Sequence, residues 1–216
     1  MTTRILGRLA VAGLAVGLVM GFVVAPREAT QGNVQRIMYV HVPAVWVAYL
    51  AFLVSFAASL AYLAGRRPGA DRLAHAACEV GALFLGVNIV TGSIWGKPTW
   101  GTWWTWDARL TTVSIVFVMY LAYLLLRQAV DDPERAARYG AVLSIVAALN
   151  IPIVHLSVYW WRTLHQPPSL LKAGPSTMPG IILTALLANF AALALLGAYF
   201  VSKRVEVLAA EAEALA

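Results

Sequence analysis

A chain of 216 residues that is 61% hydrophobic and only 12% charged, with mean hydropathy +0.74, carries more apolar surface than a soluble domain of this size can bury. Its single cysteine, Cys78, rules out an intramolecular disulfide, and with no Cys-x-x-Cys or Cys-x-x-Cys-His motif the chain is neither a thiol oxidoreductase nor itself a c-type cytochrome. The net charge of +6 is therefore a matter of membrane topology and not a nucleic-acid signal, and the composition predicts an all-α membrane protein, one polytopic domain over residues 1–216.

Six spans follow in chain order. Residues 5–24 form an apolar run too long for a typical signal-peptide core, although Arg4 and Arg8 would suit one, and read as a retained first span. Residues 26–41 are polar enough for a loop. Pro43 suits the first turn of a second span, 43–63, which leaves His41 just before that helix and Gly65-Arg66-Arg67-Pro68 at its end. A third span, 76–94, begins near His75, read as solvated, and contains Glu79. An acid inside a span is a candidate functional group, but this one lies near the loop, where snorkelling or a neighbouring hydrogen bond serves as well. The fourth span, 110–126, leads into a charged stretch at 127–138 that reads as a solvated turn. The fifth, 140–159, holds Asn150 and His155 and is expected to kink at Pro152. A loop at 160–179 precedes the sixth span, 179–201, closed by Lys203-Arg204 and followed by an Ala/Glu-rich tail that is either a helical extension or a frayed end.

Six spans put both termini on one side, with Arg4, Arg8, Arg66, Arg67, Arg72, Arg127, Arg135, Arg138, Lys203 and Arg204. The other side has Arg27, Arg36, Lys97, Arg109, Arg162 and Lys172. The positive-inside rule makes the termini cytoplasmic. The outer six cations face only Glu28 and Asp107. An anionic ligand on that side would explain the excess, and so would the looseness of the rule itself.

Five of the eight tryptophans, Trp95, Trp100, Trp103, Trp104 and Trp106, stand within one outer stretch, residues 95–109. Tryptophan belongs at membrane–water interfaces, so a dense anchoring belt is one reading. An aromatic platform for a large flat ligand is the other. A short helix over 99–107 would put Trp100, Trp103, Trp104 and Asp107 on one face, with Gly96, Pro98 and Gly101 setting its entry. Of the four histidines, His75 lies at the cytoplasmic side and His155 within a span, roughly 15 Å deeper than His165 if the helix continues at 1.5 Å per residue. His41 and His165 sit at outer helix ends, on the side of the tryptophans, and imidazole is a good axial ligand for haem iron.

The run WGKPTWGTWWTWDARLT resembles the tryptophan-rich "WWD" signature of haem-handling membrane proteins in cytochrome c maturation, and its length and flanks are most similar to the CcmC family of haem exporter proteins. Met38-Tyr-Val-His41-Val-Pro43 and Trp160-Trp161-Arg-Thr-Leu-His165-Gln166 match as well, and the likeness covers roughly residues 35 to 200. The resemblance implies haem b held at the periplasmic face of the bacterial inner membrane over Trp95, Trp100, Trp103, Trp104 and Trp106. His41 and His165 would be the axial ligands. Asp107 would accept a hydrogen bond or orient Arg109, and Arg109, Arg162 and Lys97 would meet the propionates. It further implies presentation of haem to the chaperone CcmE, a small partner CcmD, and an ABC-type assembly with CcmA and CcmB in which ATP hydrolysis belongs to a separate protein. No GxxxxGK[ST] phosphate loop occurs in this chain, which on this reading is not an enzyme. A secondary transporter would need inverted repeats and ionisable groups at mid-membrane, for which only Glu79, Asn150 and His155 qualify and no repeat shows. A haem-dependent redox protein would place paired histidines deep within its spans.

Overall fold

The computed structural model describes residues 3–166, 169–170, 174–176 and 178–214. Those residues are helical or irregular, with one isolated bridge between Glu28 and Gly32, and six helical segments are long and apolar enough to cross a membrane. The chain is an all-α, multi-pass membrane protein. Its helices are α1 (Thr3–Val19, continued by a π-helical turn Met20–Val24), α2 (Met38–Gly65), α3 (Pro68–Trp100), α4 (Ala108–Ala129), α5 (Pro133–Ala148), α6 (Asn150–Trp160) and α7 (Gly180–Ala214).

Several helices outrun the spans read from hydropathy. α3 has 33 residues. At 1.5 Å each that is about 50 Å, well beyond a hydrocarbon core of about 30 Å. It starts with Pro68 at its first turn and runs on through Gly96 and Pro98, ending where Gly101 adopts φ 80°, the left-handed conformation that glycine tolerates. The proposed short helix over 99–107 is therefore absent: Trp95 and Trp100 ride on α3, and Trp103, Trp104 and Trp106 lie on an irregular link, 101–107. α2 likewise begins earlier than Pro43. A 3-10 turn, Val34–Ile37, leads into it, so His41 lies within the helix and Pro43 is internal. α7 continues to Ala214, which makes the tail a helical extension and leaves Lys203 and Arg204 inside the helix rather than at its end. The fifth span breaks as expected: Pro152 has no N–H for the carbonyl of Ala148, and α5 hands over to α6 at Leu149.

Tight, small-residue contacts hold α2, α3 and α4 together. A Cβ on Gly81 would fall 2.4 Å from Phe52, whose ring stacks face to face on Tyr120 at 3.6 Å. Ser55 Oγ donates to Ala74 O at 2.9 Å and lies 2.9 Å from Ser144 Oγ, joining α2, α3 and α5 with buried hydroxyls. Asn189 Nδ2 donates to Gly17 O at 2.8 Å, which ties α1 to α7. Cys78 is fully buried in the core, as its apolar surroundings predict.

Charged groups read as solvated turn out to be paired at the end of the bundle away from the tryptophans. Arg127 grips Asp71 with both nitrogens, at 2.5 and 2.8 Å, and both side chains are mostly buried. α5 begins within the supposed turn, at Pro133, capped by the Asp132 carboxylate. Glu79 accepts from Arg204 of α7 at 2.6 and 3.1 Å and sits 3.3 Å from His75 Nε2. The acid is accounted for by a structural partner, and His75 is not solvated but 15% exposed, its ring edge-on to Tyr123. Removing one member of a buried pair strands the other. Asp71→Ala or Arg127→Ala should each cost about 3 kcal/mol in detergent, read as a fall in melting temperature, while the exchanged pair Asp71→Arg/Arg127→Asp should regain part of it.

A histidine-lined aromatic cavity as candidate functional site

At the other end of the bundle, α2, α3, α4, α6 and the described part of the 161–178 segment enclose a cavity of about 280 Å³. Both outer histidines line it, with Trp95, Trp100, Trp103, Trp104 and Arg109.

His41 is held by α3. Its Nδ1 lies 3.0 Å from Asn88 O and 3.2 Å from Thr91 Oγ1, and Asn88 Nδ2 donates to His41 O at 3.0 Å and stands 3.2 Å from both ring nitrogens. With Nδ1–H donated to the Asn88 carbonyl, Nε2 is the acceptor nitrogen, with Asn88 Nδ2 at 3.2 Å, and a hydrogen bond from the other ring nitrogen is what orients metal-binding imidazoles. The ring fits because residue 92 is glycine: a Cβ there would sit 2.9 Å from His41 Cε1. Trp95 meets the ring edge-on at 5.6 Å and donates its indole N–H to Gln31 Oε1 at 2.8 Å.

His165 depends on Asp107. One carboxylate oxygen accepts from Leu110 N at 2.9 Å and caps α4. The other accepts from Thr163 Oγ1 and Leu164 N, both at 2.9 Å, and Thr163 Oγ1 in turn accepts from His165 N at 3.1 Å. Burial works against the charge on Asp107, but these donors prevail and hold its carboxyl below the usual range. Burial, reinforced by the Arg109 cation and opposed by Asp107, pushes the His165 imidazolium down to about 4, so the ring is neutral at physiological pH, the state in which imidazole binds a metal. Its Nδ1 is buried and has no hydrogen-bond partner among the described residues, and Trp100 packs against the ring at 4.7 Å.

The remaining residues expected at the site divide. Trp106 is 76% exposed, edge-on to Trp104, and does not line the cavity among the described residues. Asp107 is a positioning group rather than a wall, and it does not orient Arg109, whose Nη1 donates to Val154 O at 2.9 Å. Lys97 Nζ donates to Gly101 O at 3.0 Å, and Arg36 donates to the carbonyls of Phe22 and Ala25 where α1 ends. These cations thus satisfy helix-end carbonyls. Arg162 is exposed and off the wall, and Lys172 lies outside the described residues. α6 stops at Trp160 and the chain continues in extended form, and His155 and His165 line one cavity. Sequence reasoning also missed Val45, Trp46 and Tyr49 on α2 and Asn88 and Gly92 on α3. The helical spacing of each set was the available signal.

The model of the family described as "CcmC: Heme exporter protein C" matches residues 1–216, beyond both ends of the stretch where the likeness is legible by eye. The "Heme exporter protein C" of Bradyrhizobium diazoefficiens is 46% identical over 199 residues, covering 91% of this chain and 75% of the relative. A "Putative cytochrome c biosynthesis ccmC-like mitochondrial protein" of Marchantia polymorpha is 36% identical over 194 residues, 90% of this chain and 82% of the relative. The Escherichia coli "Heme exporter protein C" is 42% identical over 154 residues, 71% of this chain and 62% of that protein. With a match of the family model along its whole length, this chain belongs to the heme exporter protein C family.

Proposed function

We propose that this chain binds haem b in the outer cavity, at the periplasmic face of the bacterial inner membrane, and presents it to the chaperone CcmE during c-type cytochrome maturation. The observation that carries the reading is that His41 and His165, far apart in sequence, line one cavity and each packs against a tryptophan of α3. The names of the relatives support haem as the cargo. The residues fit it: His41 and His165 offer imidazole to the iron, the Nδ1 of His165 has no hydrogen-bond partner among the described residues, and Trp95, Trp100, Trp103 and Trp104 give flat apolar surface. Arg109 supplies a cation for a propionate. Trp106, outside the cavity, serves the rim. Residues 95–109 are then the haem-handling stretch of a single polytopic domain. The chain acts as a handling component rather than an enzyme, working with CcmD and with an ATPase assembly of CcmA and CcmB, and both termini are cytoplasmic.

Full-length protein purified in detergent should show a Soret band with sharp reduced α and β bands. His41→Ala or His165→Ala should shift that band or lose the haem, with added imidazole restoring it, whereas His75→Ala should leave it alone. Unchanged spectra from both His41→Ala and His165→Ala would refute the ligand assignment. Replacing Trp100 and Trp104 together with alanine should weaken haem binding by about 2 kcal/mol, near thirtyfold, while membrane insertion is kept; full occupancy would return the tryptophans to an anchoring belt. Reporter fusions at Arg67, Lys97 and Ala214 should read inside, outside and inside, and an outside signal at Ala214 would reverse the topology.

A further inference from the structure

Among the described residues nine buried side-chain polar atoms have no hydrogen-bond partner, and three of them belong to residues that line the cavity: Tyr49 Oη, Thr105 Oγ1 and His165 Nδ1. Buried polar groups in folded proteins are almost always satisfied, and for these three a ligand in the cavity is the nearest source of a partner. On the haem reading His165 serves the iron, which leaves Tyr49. It lies eight residues beyond His41 on α2, about 12 Å further into the bundle at 1.5 Å per residue. Two more groups reach the same inner region. His155 lines the cavity from α6, and Arg109 extends to Val154 O, the carbonyl next to His155, which brings its guanidinium inward from the start of α4. Among the described residues that line the cavity, Arg109 is the one carrying a fixed charge, and Asp107 is not on the wall.

A phenol O–H, an imidazole N–H and a guanidinium converging in an apolar pocket make a receptor for a carboxylate. We propose that Tyr49, His155 and Arg109 form a carboxylate-receiving floor that selects a dicarboxylate tetrapyrrole and seats it with its propionate edge inward. The opposite, vinyl-bearing edge then faces the cavity mouth, where Trp103 is 57% exposed and the neighbouring Trp106 lies in the open. This rests on the haem reading above and adds an orientation to it. His155 is a substrate-contacting group in this scheme and not an iron ligand.

The test titrates the full-length protein in detergent with iron protoporphyrin IX and with its dimethyl ester, following the Soret band. The ester keeps the iron and the ring and removes only the carboxylate charge. Wild-type protein should bind the free acid about tenfold or more tightly, as expected for hydrogen bonds to a charged group. Tyr49→Phe and His155→Phe should each shrink that preference several-fold at an unchanged Soret position, and His155→Gln, which keeps an N–H donor, should restore it. Equal binding of acid and ester by the wild-type protein would overturn the floor while leaving haem binding in place, and this comparison needs no variant to fold. A Soret shift in His155→Phe would make that residue an iron ligand and overturn its assignment here. If neither compound binds, the haem reading itself fails and the floor falls with it.

Discussion

The Asp107 carboxylate joins two parts of the outer end that nothing in the sequence makes adjacent. Its oxygens accept from Leu110 on one side and from Thr163 and Leu164 on the other. A helix N-terminus already favours an anion, so the charge that starts α4 is present whether or not the 163–165 turn docks. Docking then costs only the ordering of that turn, and it places His165 against Trp100. The site is assembled by a helix cap that also serves a second segment.

α3 is the spine on which both ends are built. Its first turns carry Asp71, His75 and Glu79, which meet Arg127 of α4 and Arg204 of α7. Its last turns carry Asn88, Gly92, Trp95, Gly96 and Trp100, all facing the cavity. A helix of 33 residues can do both because it is longer than the membrane is thick. Charge sits where water or a partner can reach it, and the middle is left to stacked rings, glycine and hydroxyls. Gly81 under Phe52 and Gly92 under His41 use the same device, a missing Cβ that lets a ring approach the helix.

Hydropathy and motif spacing made the six spans, the break at Pro152 and the convergence of His41, His165 and most of the tryptophans legible in the sequence. Helix ends were less so, because hydropathy reports where lipid lies and not where backbone hydrogen bonding stops. The cap at Gly101 depends on a left-handed residue that a reading of Gly96, Pro98 and Gly101 as one entry turn could not single out. Pairings between distant elements were invisible for a plainer reason: nothing local tells Asp71 that it faces Arg127, or Glu79 that it faces Arg204. That His155 and His165 line one cavity was not legible, because the chain leaves the helix after Trp160 and hydropathy does not show it. The outer cations looked like a field for an anion, yet Arg36 and Lys97 are occupied by carbonyls, so what favours an anion in the cavity is local and rests on Arg109.

The two histidines are held with unequal stiffness. His41 lies inside α2, its ring framed by Asn88, Thr91, Gly92 and Trp95, and moving it means repacking α2 against α3. His165 lies on an irregular segment, and its placement rests on the hydrogen bonds at Thr163 and Leu164 that end on one carboxylate. Each such bond is worth about 1 to 3 kcal/mol, so releasing the turn is a far smaller step than opening the helix pair. A protein that only had to keep a ligand would gain from stiffening both sides alike. One wall of the cavity is therefore a packed helix pair and the other an irregular turn tied to one carboxylate, so a rearrangement of the cavity meets least resistance at His165.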